Sequence, residues 1–469
     1  MDLHSFRQHG HEFIDWIADY LANMEQYPVK PDVRPGDIIK RLPSSPPENG
    51  EQMQHIFQDF KEIILPGMTH WQHPGWLAYF PANNSPASVL AEVLTAGLGA
   101  QCMSWQTSPA ATELEERVLD WLREMVGLPK HFVGVIQDTA STATLAALIS
   151  AREKATGLQS NKKGIEKTMR VYASTEAHSS IEKAVKIAGL GSENLRLIST
   201  DGSFAMQHEL LHKAIEQDIA AGFVPICVVA ALGSTSSMAM DPVDKIASIC
   251  QKYKLWLHVD AAFAGTAAIV PELRAFMNGT EHADSLVFNP HKWMLTNFDC
   301  SAYYVSDPAM LVQAFEMKPE YLKTADDKQV KNYRDWGIQL GRRFRALKLW
   351  FVIRNYGVEG IRAMVREHVR LAALFAEWLN QDNCFEIMAP VQLSLVCFRL
   401  NPGGLDHESL NQLNRRFLEN INSNQSIFLT HTTLNGSYTV RMAIGSRTTT
   451  EKHLRGAWEI IRKEAGKML

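Results

Sequence analysis

The 469-residue sequence predicts an α/β protein with a mainly parallel seven-stranded sheet covered by helices on both faces. We expect an N-terminal helical segment before this sheet and a C-terminal α+β domain after it. Three observations support this prediction. Short apolar stretches alternate with helical patterns through the middle of the chain, as in sheets buried on both faces. The first residues carry a helical apolar stripe ahead of a proline-rich stretch, and the pattern changes again near residue 350.

The N-terminal part, residues 1–85, combines a helix with extended chain. Its helical stripe, within residues 1–27, consists of Leu3, Phe6, Phe13, Ile14, Ile17, Tyr20, Leu21 and Met24. Residues 28–50 contain six of the 20 prolines and are typical of an extended linker. A helix on a stiff tether has no core of its own, so it must pack on the rest of the chain or on a second subunit.

The central part, residues 86–349, is the predicted large α/β domain. Its helices include Ala110–Met125 and Ala140–Ala155. The predicted strands are mostly continuous apolar runs: Val133–Gln137, Met169–Ser174, Leu195–Ser199, Ile226–Leu232, Leu255–Asp260, Ser285–Asn289 and Ser301–Val305.

The C-terminal part, residues 350–469, reads as a small α+β domain. Helical patterns occupy about 358–380, 408–422 and 450–466, and Val391–Leu400 is a predicted strand. Two further strands, Ile427–Thr432 and Tyr438–Ile444, flank Asn435-Gly436, which is a strong hairpin signal.

Composition excludes several function classes. With 47 basic and 51 acidic residues the net charge is −4, which argues against electrostatic capture of nucleic acid. No apolar run reaches the ~18 residues of a membrane helix, and the first residues lack the basic and apolar regions of a signal peptide. The six cysteines are scattered without a CxxC pair, so we expect neither a zinc site nor a disulfide framework, and we expect a cytoplasmic protein.

In such a sheet, ligands bind at the carboxyl ends of the strands. The first strand is followed by Asp138-Thr139-Ala140-Ser141-Thr142, where small hydroxyl residues open a helix and could hold a phosphate. Taken alone, ordinary helix capping explains this segment better. The chain contains neither GxxxxGK[ST] nor GxGxxG, which argues against a nucleoside triphosphate or a dinucleotide.

Three further strand ends carry reactive side chains. His178 follows the second strand, either as a surface residue or as a ring lying against a planar cofactor. Asp260 ends a buried strand, either in a cap or core ion pair or as the partner of a heterocyclic nitrogen. Lys292 lies just past another buried strand; it is either a surface loop residue or an amine nucleophile whose pKa burial lowers.

Together these four features fit one chemical requirement. Pyridoxal phosphate needs an anchored phosphate, a covered ring face, a carboxylate for its ring nitrogen and a lysine that forms a Schiff base. The sequence therefore predicts pyridoxal 5'-phosphate as the cofactor.

Sequence motifs also carry a family resemblance. Asn289-Pro290-His291-Lys292-Trp293, with Leu257-His258-Val259-Asp260-Ala261-Ala262 upstream, resembles the group II pyridoxal-phosphate decarboxylases, closest to the aromatic-L-amino-acid decarboxylases. The resemblance covers nearly the whole chain. It includes Thr69-His70-Trp71-Gln72, Tyr79-Phe80-Pro81, Ser104-Trp105, Ser108-Pro109-Ala110, Ala177-His178-Ser179-Ser180, Asp299-Cys300-Ser301 and Leu340-Gly341-Arg342-Arg343-Phe344-Arg345.

The resemblance implies fold type I, a homodimer whose N-terminal segments lie on the neighbouring subunit, and a set of roles. Lys292 resembles the lysine that binds the cofactor, Asp260 the partner of the pyridine nitrogen, and His178 the stacking imidazole. Other cofactor contacts are implied for Ala262 against the ring, for Thr235, and for the phosphate ligands Thr139, Ala140, Ser141, Asn289 and His291.

The implied reaction is decarboxylation of an aromatic L-amino acid to the amine and CO2. Tyr321, in a polar stretch at 315–335 that would be a surface loop on composition alone, matches the catalytic tyrosine of a mobile lid. Phenylalanine at this position accompanies aldehyde formation in plant relatives, so Tyr321 favours simple decarboxylation.

The implied substrate pocket comprises Trp71, Tyr79, Phe80, Pro81, Ala82, Gln101, Met103, His178 and Gly341. For the aromatic residues, ordinary core packing is the alternative explanation. Gln101, Met103 and Ala82 replace the Ile, Phe and Thr of the animal enzymes, which predicts a more polar and adaptable pocket. Gly341 matches the aromatic enzymes, whereas histidine decarboxylases carry serine there. The alternatives are a histidine decarboxylase, an aldehyde-forming oxidative enzyme or, in another class, a catalytically silent dimeric homologue.

Overall fold

A seven-stranded sheet forms the centre of the molecule in the computed structural model, which describes residues 1–317, 320, 326 and 329–468. The spatial order is β1-β7-β6-β5-β4-β2-β3. The strands are β1 (Val133–Gln137), β2 (Met169–Ser174), β3 (Leu195–Ile198), β4 (Val224–Ala231), β5 (Trp256–Asp260), β6 (Ser285–Phe288) and β7 (Ser301–Val305). Strands β2 to β6 pair in parallel, and β7 lies antiparallel between β1 and β6. The predicted fold class is confirmed.

Helices cover both faces of this sheet and frame the smaller one. They are α1 (Leu3–Ala22), α2 (Met53–Asp59), α3 (Pro86–Leu98), α4 (Pro109–Val126), α5 (Ala140–Thr156), α6 (Ser160–Lys163), α7 (Ser180–Ile187), α8 (His208–Ala220), α9 (Val243–Tyr253), α10 (Pro290–Trp293), α11 (Pro308–Phe315), α12 (Arg345–Asn380), α13 (His407–Asn422) and α14 (Glu451–Gly466). Helix α12 begins at Arg345, before the predicted residue 358, because it consists of two helical stretches. They meet in a kink at Gly357, whose φ of 65° is not helical.

The core lies on both sides of the large sheet because most side chains on both faces of its central strands are apolar. On one face, side chains of β4 and β5 pack with Leu119 of α4, Leu211 of α8 and Ile246 of α9. On the other, Leu148 of α5 and Ile181 of α7 belong to a second cluster. Burial of each such side chain stabilises the fold by about 1.5–3 kcal/mol.

A four-stranded antiparallel sheet follows, in the order β10-β11-β9-β8. Its strands are β8 (Phe385–Ile387), β9 (Leu395–Leu400), β10 (Thr430–Leu434) and β11 (Ser437–Ala443). Asn435 and Gly436 form the predicted hairpin turn, with φ of 48° and 79°. The predicted strand Val391–Leu400 is too long at its start: Leu393 has a φ of 51°, so the chain turns before entering β9. The arm predicted at Ile427–Thr432 likewise enters its strand only at Thr430, and β8 was not predicted.

Helix α1 packs on its own chain through one aromatic face. Phe13 lies 4.5 Å from Phe57 between ring centroids, and Trp16 lies 5.3 Å from Phe60. Leu3 and Phe6 of the same helix remain exposed. The division into parts at residues 85 and 349 stays a prediction. In the described part of the chain, none of the helices is both long enough and apolar enough to cross a bilayer.

Candidate active site

A cavity of about 230 Å³ opens where the carboxyl ends of β1, β2, β4, β5 and β6 meet. Parallel strands bring side chains that are far apart in sequence to this one edge. The cavity is lined by Phe80, Thr139, Ala140, Ser141, His178, Ser180, Ala231, Gly233, Ser234, Thr235, Asp260, Ala262, Phe263, Asn289, His291, Lys292 and Phe298. All ten residues predicted to bind a cofactor are therefore brought together.

Lys292 and Asp260 supply an amine and a carboxylate to the cavity. Lys292 lies in the short helix α10, and burial lowers the pKa of its amine, an effect that the charge of Asp260 partly opposes. Asp260 ends β5, and its Oδ1 accepts a hydrogen bond from the backbone N–H of Ala262 at 3.0 Å. A neutral amine is the nucleophilic form, so this environment favours attack of Lys292 on a carbonyl carbon.

One side of the cavity is an anion cradle. Thr139 caps α5, which leaves the first backbone N–H groups of that helix, at Ala140 and Ser141, without partners inside the helix. The Nδ1 atom of His291 accepts a hydrogen bond from the Cys300 N–H at 2.8 Å, and burial lowers the pKa of this histidine to about 3. The neutral ring then carries its proton on Nε2, where it can donate. The Asn289 amide, whose oxygen accepts from Ser301 at 2.8 Å, offers further N–H donors.

His178 lies at the mouth of the cavity with a fixed tautomer. Its Nδ1 accepts from the Ser180 N–H at 3.1 Å and lies 2.8 Å from the Ser180 hydroxyl, so the neutral ring is protonated on Nε2. The ring keeps an exposed face, yet the surrounding protein desolvates it enough to lower its pKa; Asp260 opposes this effect, and Lys292 and Lys183 add to it. His178 thus presents a flat ring whose uncharged form is favoured.

These residues fit pyridoxal phosphate. The cradle can donate hydrogen bonds to an anion, Asp260 can pair with a ring nitrogen, His178 can cover a ring face, and Lys292 is an amine whose pKa burial lowers. Fold and site together define the class: a pyridoxal-phosphate enzyme of fold type I.

Comparisons with known proteins identify the family. The model of the pyridoxal-dependent decarboxylase conserved domain matches residues 35–401. Tryptophan decarboxylase 2 of Oryza sativa subsp. japonica is 43% identical over 479 residues, covering 100% of this chain and 96% of the relative. Phenylacetaldehyde synthase of Arabidopsis thaliana is 44% identical over 479 residues, covering 100% and 97%. The crystal structure of Oryza sativa TDC with PLP and tryptamine has a TM-score of 0.97 at 36% identity, covering 100% of this chain and 99% of that one.

The chain belongs to the pyridoxal-phosphate-dependent decarboxylases of group II. It is a carbon–carbon lyase of fold type I, and the predicted family, enzyme class and cofactor are confirmed.

The residues predicted for the substrate fall into two groups. Phe80 forms a cavity wall: its ring stacks on Phe263 at 4.1 Å, and Lys292 Nζ lies 5.3 Å from the ring centroid. The residues around Phe80 lie outside that wall. Tyr79 lines an adjoining cleft and stacks at 5.9 Å on the partly exposed Trp71. Pro81 packs against Gly445, and the Ala82 carbonyl accepts from Gln72 at 2.6 Å.

Gln101, Met103 and Gly341 form the second group, away from the cavity wall of this chain. The side-chain Oε1 of Gln101 accepts from the Arg342 N–H at 2.7 Å, and the backbone carbonyl of Met103 accepts from the Arg334 N–H at 2.8 Å. A Cβ added at Gly341 would lie 3.1 Å from Gln101 Nε2. These hydrogen bonds join the segment 101–103 to the segment 334–342. Tyr321 lies outside the described residues.

Arg441 is a site residue that the sequence analysis missed. It is 3% exposed and lines the cleft of about 270 Å³ beside the cavity, which shares Thr235 with it. Its Nη1 donates to Thr430 Oγ1 at 3.0 Å and its Nε to the Ser236 carbonyl at 3.2 Å. Its Nη2 is buried and has no hydrogen-bond partner among the described residues. One signal was available: a charged residue between the apolar Val440 and Met442 of β11.

Proposed function

We propose that this enzyme converts an aromatic L-amino acid into the corresponding amine and CO2. The observation that carries the proposal is the cavity with Lys292, Asp260 and His178 at its strand ends, in a chain 43% identical to a tryptophan decarboxylase. The relative crystallised with tryptamine, an aromatic amine, supports the same product class.

The residues of the cavity have different proposed roles in holding the cofactor and the substrate. Lys292 would hold the cofactor, the anion cradle would hold its phosphate, and Asp260 would keep its ring nitrogen charged. When bound, pyridoxal phosphate supplies the electron sink for the bond that breaks. His178 limits tilting of a planar group at the cavity mouth. Phe80, backed by Phe263, offers an apolar wall for an aromatic side chain.

We assign Arg441 to the carboxylate of the substrate. A buried guanidinium without a carboxylate partner is costly unless an anion joins it. Its free Nη2 and its position beside Thr235 place this charge next to the cavity. An arginine held by Thr430 and Ser236 can fix the direction of a carboxylate, and that direction decides which bond of the substrate is broken.

We further propose a homodimer in the cytoplasm. Leu90, Val93, Leu94 and Leu98 of α3 are each about half exposed or more, and their spacing puts them on one face of the helix. Gln101 and Met103 lie just after this helix in the chain, so a second subunit seated on α3 would lie close to them. Five of the six free cysteines are buried thiols, as in proteins of a reducing compartment.

An end-product assay tests the proposal. Purified protein with added pyridoxal phosphate is given DOPA, 5-hydroxytryptophan, tryptophan, tyrosine, phenylalanine and histidine separately, and amine, aldehyde and hydrogen peroxide are measured. Amine from an aromatic substrate, lost in Lys292→Ala, is the expected result. Amine from histidine alone, or no product from any of the six, contradicts the proposal.

The second candidate function is aldehyde formation, because an Arabidopsis phenylacetaldehyde synthase is 44% identical to this chain. Oxidative deamination consumes O2 and one water molecule and releases ammonia and hydrogen peroxide together with the aldehyde and CO2. Tyr321 favours the amine as product. Aldehyde and peroxide in equal amounts would establish the second function instead, and Tyr321→Phe then should not change the product ratio.

A further inference from the structure

The Asn83 side chain is 1% exposed and makes hydrogen bonds to three backbone groups. Its Nδ2 donates to the carbonyl of Lys292 at 2.8 Å and to the carbonyl of Gly445 at 2.7 Å. Its Oδ1 accepts from the N–H of Arg447 at 2.9 Å. Both N–H donors of the amide and its oxygen are therefore engaged with the backbone.

These three bonds join segments that are distant in sequence. Lys292 lies in the large α/β unit, 209 residues from Asn83, and Gly445 follows β11 of the small sheet, 362 residues from it. The backbone that carries Lys292 is therefore tied to the end of β11 through one side chain.

A second set of contacts holds the next residue. The Trp293 indole N–H donates to His368 Nδ1 of α12 at 2.8 Å, and the indole stacks on Phe263 at 4.4 Å. Phe263 in turn stacks on Phe80 at the cavity wall. The Lys292–Trp293 stretch is thus held both through the Lys292 backbone carbonyl and through the Trp293 indole.

We propose that Asn83 is a positioning residue that holds the Lys292 backbone so that its amine reaches the aldehyde carbon of pyridoxal phosphate. The inference rests on the proposed role of Lys292 in the function above. Asn83 does not itself line the cavity, and its hydrogen bond to the Lys292 carbonyl is the contact through which we expect it to act. Misplacement of a reacting group by about 1 Å can cost about 10²-fold in rate.

Two substitutions at Asn83 disrupt its three hydrogen bonds in different ways. Asn83→Asp keeps the acceptor for Arg447 but places a carboxylate oxygen against two carbonyl oxygens, so it repels both. Asn83→Ala removes all three bonds without adding charge, and it remains informative if the aspartate variant does not fold. Asn84→Ala is the matched control, since Asn84 is the adjacent asparagine and its buried Oδ1 has no partner among the described residues.

The test compares two ligands on cofactor-free full-length protein. Pyridoxal phosphate can form the imine with Lys292, which is followed by its absorbance near ~420 nm. Pyridoxamine phosphate uses the same cradle, ring contacts and Asp260 but has no aldehyde for Lys292 to attack. We expect both Asn83 variants to form the imine about 10²-fold more slowly while their Kd for pyridoxamine phosphate stays within about twofold. In the reconstituted enzymes kcat should fall with little change in KM, and Asn84→Ala should match the parent.

Each other result has a definite meaning. Equal losses for both ligands would show a general collapse of the cavity and overturn the positioning role. Unchanged imine formation in both variants would also overturn it. If the parent shows no imine absorbance, or if Lys292→Ala retains it, the proposed function of Lys292 is wrong. That outcome is distinct from one that overturns only the positioning role of Asn83.

Discussion

Replacing Arg441 with methionine removes a buried charge while roughly keeping the length of the side chain. The structure predicts opposite consequences for activity and for stability. The guanidinium is 3% exposed, it is held by two hydrogen bonds, and no carboxylate of the described residues pairs with it. Desolvation lowers its pKa, so the fold works against the charge that Arg441 carries.

The expected loss of activity follows from the interaction that the free Nη2 can make. A hydrogen bond to a charged group contributes about 1.5–3 kcal/mol. Opposite charges about 4 Å apart attract by about 4 kcal/mol at an effective dielectric constant of about 20, and desolvation of the incoming carboxylate offsets part of this. A net contribution of about 3 kcal/mol corresponds to about 10²-fold in affinity or rate. We therefore expect kcat/KM for the amino acid to fall about 10²-fold in Arg441→Met.

The assay pairs that rate with binding of the product amine, which lacks the carboxylate. The inhibition constant of the amine should stay within about twofold in Arg441→Met. The melting temperature should hold or rise, because the substitution removes an uncompensated buried charge. Arg415→Met is the control, since Arg415 is an exposed arginine near the same sheet, with its guanidinium 4.8 Å from the Tyr438 ring. Equal losses for amino acid and amine, or no loss for either, would refute the reasoning.

Three further predictions concern stability, pH and the second substrate group. Glu115→Gln breaks the buried ion pair with Arg342, whose Nη2 lies 2.7 Å from Glu115 Oε1, and should lower the free energy of unfolding by about 3–5 kcal/mol in urea denaturation. Burial lowers the pKa of His73, His258 and His368 to about 4, so between about pH 4 and pH 6.5 the unfolded chain binds more protons than the folded chain. Stability should therefore fall below about pH 6.5, by about 1.4 kcal/mol per histidine and pH unit until about pH 4, and His368→Gln should reduce the slope. Both Gly341→Ala and Gly341→Ser add a Cβ that would displace the Gln101 side chain. If position 341 faces the substrate, the added hydroxyl should make KM for aromatic substrates severalfold higher in Gly341→Ser than in Gly341→Ala. Equal KM values in the two variants and the parent would show that position 341 does not face the substrate.

Local sequence determined most of the cofactor site. The predicted cofactor residues lie at the ends of short apolar strands, and a parallel sheet gathers such ends at one edge whatever the loops between them do. Thr139 as a helix cap, Lys292 just past β6 and Asp260 at the end of β5 needed only the strand pattern and the chemistry of each side chain. The Asn435-Gly436 turn was also readable, because that dipeptide readily adopts positive φ.

The tertiary structure alone decided what has no local signal. No sequence pattern shows that Arg441 lacks a carboxylate partner among the described residues. Nor does any pattern show that the Asn83 amide donates to the carbonyls of Lys292 and Gly445, which lie 209 and 362 residues away. Gln101 and Gly341 were placed in the pocket by resemblance, yet they contact each other away from this chain's cavity wall. Propensity and periodicity are properties of neighbouring residues, so the sequence by itself determined which elements form. Desolvation, pairing and hydrogen-bond satisfaction depend on the packed neighbours, and those only the completed fold supplies.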